Sequence, residues 1–242
     1  MKLLIFILAF PLAVFSQENW VKTDAQEFLG LIREYEQSVS EKESYSLETI
    51  YKIYNNHADM QPVQSFEGRL VCRGGKELNV FQMGHVMIQD ETMNLTIDTA
   101  SKQILVQKPD PAFFYRKTVQ DYTTFLEVTE TVSKKTVNGK LHYLLQLKKE
   151  NPYHAMEFTF SDKNVISQIV IYSNQPYYTA GDYAQGRAKI VLDFKNFRKG
   201  KAADLNRFLT VNDLLQMKDK QVKAVGAYKD FEVIDLRDQS NK

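Results

Sequence analysis

Residues 65–108 alternate short apolar, β-preferring runs with turn-forming residues, and this constrains the fold more than any other feature of the chain. The runs fall at 68–72, 78–83, 87–89, 93–98 and 103–107. Between them lie Gly74-Gly75, Gly84, Asp90-Glu91 and the stretch 98–102, built from the small and polar residues that turns use. Connections this short join neighbouring strands through tight turns, so the segment predicts an antiparallel meander. No catalytic or cofactor-binding motif lies within it.

Upstream, Thr23 with Gln26 three residues later has the pattern of a capping box. Phe28, Leu31, Ile32, Tyr35 and Val39 then recur at three- and four-residue spacing, which predicts an amphipathic helix of about four turns lying on an apolar surface. Alternation over 45–55 predicts a strand, and the loop over 55–62 places His57 in solvent. Beyond the meander, the Phe- and Tyr-bearing stretch 110–122 predicts a short helix or lid-like connection. Strand patterns at 125–132 and 141–147 flank Asn138-Gly139, a pair that tolerates positive φ at both turn positions. A second hairpin is expected from 156–161 and 165–172, a central strand over 187–197, a helix over 210–220 and an edge strand over 231–236. The tyrosine-bearing stretch 174–186 is long for a hairpin loop; its aromatics either meet a ligand or partner or pack over the sheet.

The first sixteen residues carry an address. Lys2 precedes an almost wholly apolar run over 3–15, and Val14-Phe15-Ser16 puts small residues at positions −3 and −1 of a cleavage site after Ser16. The run is shorter than the ~20 residues of a membrane-spanning helix. Residues 1–16 therefore read as a cleaved signal peptide, and 17–242 as one exported domain, periplasmic or, alternatively, secreted. With 31 basic and 30 acidic side chains the chain lacks the net basic footprint of a general nucleic-acid binder. Cys72 is the only cysteine, so no intramolecular disulfide forms, and its place at the end of an apolar run suits a small buried hydrophobe.

Recognised chemistry is sparse. G-x-S-x-G, H-E-x-x-H, paired C-x-x-C and G-x-x-x-x-G-K-[ST] are all missing from the sequence, and Gly74-Gly75-Lys76 lacks the spacing of a phosphate loop. His57, His85, His142 and His154 are scattered without metal-ligand spacing, and His85 and Asp90 share only proximity in sequence. The expectation is a non-enzymatic protein with no cofactor and no metal. A hydrolase would need acidic or histidine side chains to converge from distant segments. Asn94-Leu95-Thr96 fits the N-glycosylation pattern, and Asp98-Thr99-Ala100 resembles a short O-glycosylation motif of some exported proteins.

Three stretches carry a family resemblance. Gly68-Arg69-Leu70-Val71-Cys72-Arg73 resembles an early strand ending in arginine. Ile88-Gln89-Asp90 through Ile97-Asp98 to Ile104-Leu105-Val106 resembles the two strands that follow it. Phe158-Thr159-Phe160 with residues 190–197 is the third. Together with the N-terminal helix, the layout over 23–236 resembles the periplasmic outer-membrane lipoprotein carriers, the LolA/LolB-like group. The resemblance implies an α+β fold: a strongly curved antiparallel β-sheet, an incomplete barrel, covered by a few helices. Acyl chains of a client enter the apolar space between sheet and helices. It further implies a cavity lined by Phe28, Ile32, Leu70, Val80, Phe81, Met87, Met93, Leu95, Phe158 and Phe160, with Arg73 contacting a lid. Gly74-Gly75 departs from the proline found in the carriers, and 210–228 lies outside their simplest layout. The implied partners are a lipid or lipidated protein client and an envelope membrane component; the chain is not expected to be integral to a membrane or to bind nucleic acid. The alternative is an exported β-rich interaction module that binds a cell-envelope protein through exposed loops such as 174–186, with a packed interior and an exposed apolar patch.

Overall fold

A computed structural model describes residues 19–38, 43–82, 84–109, 126–161, 165–176, 178–179, 182–183, 186–206, 208–218 and 221–237. The expected signal peptide and the 110–122 connection lie outside them. Strand β1 (Val21–Lys22) leads into helix α1 (Ala25–Ser38). The long strand β2 (Tyr45–Tyr54) opens a meander through β3 (Gln64–Arg73), β4 (Glu77–Gln82), β5 (His85–Gln89), β6 (Asn94–Asp98) and β7 (Gln103–Gln107). A second meander runs through β8 (Thr129–Val137), β9 (Lys140–Leu147), β10 (Tyr153–Phe160) and β11 (Ile166–Ser173). Two short strands, β12 (Tyr178–Thr179) and β13 (Asp182–Tyr183), pair inside the following loop, and β14 (Lys189–Lys199) re-enters the main sheet. The chain finishes through β15 (Leu215–Lys218), β16 (Gln221–Ala224) and β17 (Glu232–Asp235).

Thirteen strands form one large curved sheet that does not close into a barrel, in the order β1-β8-β9-β10-β11-β14-β2-β3-β4-β5-β6-β7-β17. The first meander runs outward from the centre, the second runs inward from the far edge, and the two meet where β14 pairs with β2. Every pairing is antiparallel except the last, in which β17 lies parallel to β7. A parallel neighbour needs a long crossover, and here the chain reaches β7 only after building the whole second meander. The Asn138-Gly139 turn adopts φ of 51° and 78°, as its residue types foretell.

The sheet has two faces with different covers. Residues paired directly across strands share a face, so Phe158, Ile169, Leu192, Tyr51 and Phe66 mark one side. Helix α1 lies on that front face over β8–β11, where Phe28 and Ile32 pack against Val132, Tyr143, Leu145, Phe158, Phe160 and Ile166. Its start differs from a capping box: Asp24 accepts the Gln26 N–H at 2.9 Å, and the Thr23 hydroxyl donates to Glu27 at 2.6 Å. The back face of the other half, Ile88, Leu95, Ile97, Ile104 and Val106, is covered by the C-terminal segment through Val211, Leu214, Leu215 and Ala224.

That segment corrects the expected helix over 210–220. Only Val211–Leu214 is helical, opened by the Asp213 carboxylate, which accepts the Thr210 N–H and hydroxyl at 2.7 and 2.8 Å, and the chain then turns into the β15–β16 hairpin. A continuous helix would carry Leu214 and Leu215 around its axis, whereas the hairpin lets both reach the same apolar cluster with Ala224. Upstream, three polar side chains tether the segment. Asp204 N–H donates to Ser46 Oγ, Arg69 reaches Asp204, and the fully buried Asn79 exchanges two hydrogen bonds with the backbone of Leu209.

Candidate functional site

Front-face side chains run across both halves, but α1 covers only one. Over β2–β7 and β17 a single cross-strand row reads Leu47, Leu70, Val80, Met87, Thr96, Leu105 and Ile234. All but the buried Leu47 are half-buried. Where this row meets the end of α1, a cleft of about 220 Å³ opens between sheet and helix, lined by Tyr35, Leu47, Val165, Ile166, Phe194 and Phe197 among others. This is below the ~300–1,000 Å³ common for enclosed small-molecule sites. A long ligand would therefore have to extend from the cleft along the apolar row.

The ten residues singled out from the sequence divide between the two faces. Leu70, Val80, Met87, Phe158 and Phe160 are on the front face, with Phe28 and Ile32 facing them from α1. Phe28, Ile32, Phe158 and Phe160 are packed into a closed aromatic cluster, with Phe28–Phe158 centroids 5.0 Å apart. Leu70, Val80 and Met87 are in the less covered row. Phe81, Met93 and Leu95 point to the back face; Met93 and Leu95 are buried in its cluster, and Phe81 pairs with Val86 beside it. Arg73 is also on the back-face side, ion-paired with Glu77 and with its guanidinium 4.5 Å from the Phe208 ring centroid. The cleft itself was missed by sequence reading, although Tyr35 lies on the apolar stripe of α1 and Leu47 on the alternating pattern of β2.

Among the described residues, polar side chains gather at one cluster on the sheet. His142, Glu157, Thr159 and Tyr172 meet on the back face of β9–β11, with Glu157 and Thr159 both on His142 Nδ1, at 2.9 and 3.1 Å. Because both contacts share one nitrogen, this arrangement does not place the imidazole between a hydroxyl and a carboxylate as proton relay requires. Burial, with Glu157 beside it, pushes the Tyr172 phenol up to about 12. His57 is half-buried rather than solvent-exposed: its Nε2 is 3.0 Å from the Ser173 carbonyl, and its ring meets Tyr172 edge-on at 5.2 Å. Among the described residues, no group of three or more His, Cys, Asp or Glu side chains is placed to hold a metal ion. Asn94 is 6% exposed on β6, so its amide is not available as a glycosylation acceptor in the folded chain, whereas Thr99 sits in an exposed turn.

One end of the sheet gathers exposed apolar side chains. Met60 is 86% exposed and Val63 45% exposed in the β2–β3 loop, and Tyr153 is 40% exposed at the start of β10. The His57 and His154 rings, 6.5 Å apart, bring the two segments together.

No helix among the described residues is long and apolar enough to cross a membrane. No family model matches the chain, and no curated protein matches it. Solved structures with a similar layout include an uncharacterized conserved protein from Thermus thermophilus, at 9% identity and TM-score 0.46, covering 87% of this chain and 99% of that one. A DUF1329 family protein from Desulfovibrio piger, at 12% identity and TM-score 0.35, covers 79% of this chain and 97% of its own. A LolA superfamily protein from Nitrosomonas europaea, at 11% identity and TM-score 0.31, covers 82% of this chain and all of its own. Scores this low assign no activity to the chain.

Proposed function

We propose that this protein is a non-enzymatic periplasmic carrier or binding protein for a lipid or for the acyl chains of a lipoprotein. The observation that carries the reading is the uneven front face: an apolar row across β2–β7 that α1 leaves uncovered, continuous with a cleft at the end of that helix. Acyl chains ask for apolar area rather than for particular hydrogen bonds, and each methylene moved out of water strengthens binding by roughly fourfold. Leu70, Val80 and Met87 form the row, and Tyr35, Leu47, Phe194 and Phe197 form the cleft mouth. Phe28, Ile32, Phe158 and Phe160 supply the rigid floor on which the cleft is built.

The test is native mass spectrometry of the purified mature protein, followed by organic extraction and titration with fluorescent fatty acids of increasing length. A co-purifying acyl species is expected, with affinity that climbs with chain length. Val80→Asp places a carboxylate in the middle of the half-buried row and is expected to weaken probe binding at least tenfold without unfolding the chain. An apo mass together with no probe uptake removes the carrier reading. That outcome would favour a module that docks an envelope protein, for which the exposed Met60, Val63 and Tyr153 are the supporting observation.

A further inference from the structure

Gln89 and Asn94 face each other across β5 and β6 on the front face, one step along the strands from Met87 and Thr96. Gln89 is fully buried and Asn94 nearly so. Asn94 Nδ2 donates to Gln89 Oε1 at 2.9 Å and lies 3.9 Å from Met87 Sδ. Asn94 Oδ1 has no hydrogen-bond partner, and it is the only such buried side-chain atom among the described residues. Turning the amide over does not remove the mismatch, since one polar atom of the group is left over either way. A buried acceptor without a donor costs on the order of 1–3 kcal/mol, so an unsatisfied group beside an apolar row calls for an occupant.

We infer that Asn94 Oδ1 is a polar recognition point for the ligand of the apolar row, and that it accepts a hydrogen bond from an N–H or O–H group attached close to the acyl chain. The inference rests on the acyl-binding reading above and narrows it. Val80, Met87 and Thr96 share the front face with the buried Gln89–Asn94 pair, so a chain that enters over the row and displaces what now buries the pair brings its polar end to the amide. An amide-linked or hydroxylated acyl group carries the donor required; a simple ester does not. A site that leaves a buried polar group unpaired discriminates against the analogue lacking the partner.

The experiment displaces a bound fluorescent fatty acid from the purified protein with N-palmitoylglycine or with methyl palmitate. The wild-type protein is expected to prefer the N-acyl ligand by about tenfold. Asn94→Leu is expected to abolish the preference by weakening N-palmitoylglycine alone, with methyl palmitate still bound. Asn94→Asp, which keeps an acceptor at that position, should retain the preference. Thr96→Val, one step along β6, should leave it unchanged. Equal displacement by both ligands from the wild-type protein overturns the role of Asn94 and leaves the acyl-binding reading standing. Displacement by neither overturns the role of Asn94 alone, whereas failure of the fluorescent fatty acid itself to bind overturns both. If Asn94→Leu does not fold, equal displacement from the wild-type protein still overturns the inference.

Discussion

Asn79 shows how a single side chain can stand in for a strand. Buried in β4, it donates to the Leu209 carbonyl at 2.9 Å and accepts the Leu209 N–H at 2.7 Å, which holds the C-terminal segment on the back face. Asn79→Ala leaves both backbone groups without partners and is expected to cost about 3 kcal/mol. Faster amide hydrogen exchange across residues 211–215 than elsewhere in the chain would confirm that the tether has been lost. Glu27 plays a comparable part for α1. Lys134, Thr23 and Tyr143 all bond its carboxylate, which holds its pKa down to about 2, and Tyr143 is in turn pushed above its ordinary value by burial and by Glu27. A lowered carboxylate stabilises the fold above its unfolded pKa and loses that stabilisation as pH falls from about 4.5 toward 2. Because both Glu27 and Lys134 are substantially exposed, the effect is limited to about 1 kcal/mol. Glu27→Gln should flatten the stability-against-pH curve over that acid range, measured by urea titration.

Among the elements, α1 and the first meander were the most legible. Their residues obey one period each, 3.6 for Phe28, Ile32 and Tyr35 and 2 for the strands, and β7 matches its expected run residue for residue. The C-terminal segment was misread because Thr210 and Asp213 give a sound helix start, while the stop is set by tertiary contacts of Leu215 and Ala224. The front and back positions of Phe81, Met93 and Leu95 were likewise hidden. Alternation assigns residues to two faces but does not say which face α1 will choose. The helix contributes mainly through Phe28, which touches Tyr143, Phe158 and Phe160. Phe28→Ala is expected to destabilise the protein by about 3–5 kcal/mol, read as a lower urea midpoint. A change under 1 kcal/mol would mean that α1 is not anchored by this cluster.

At the scale of the whole molecule, the order of strands was beyond the reach of local pattern. Nothing in residues 189–199 announces that they will insert between β11 and β2 and join the two meanders. The cleft belongs to the same category. Its lining comes from α1, β2, β14 and the β10–β11 region, brought together by the β11–β14 and β14–β2 pairings and by the packing of α1. Pairings of such long separation must close large loops before they are rewarded, which predisposes a fold to slow assembly.

The parallel pairing of β17 with β7 also sets a schedule. As the chain emerges N-terminus first into the compartment where it folds, β7 arrives about half a chain before Glu232. That delay lasts until the second half of the chain has followed. Throughout it, Gln103–Gln107 is a bare sheet margin with open amides and carbonyls. The nascent chain therefore spends its most adhesive interval waiting for its own last strand, and any factor that shields that margin acts before the protein is finished.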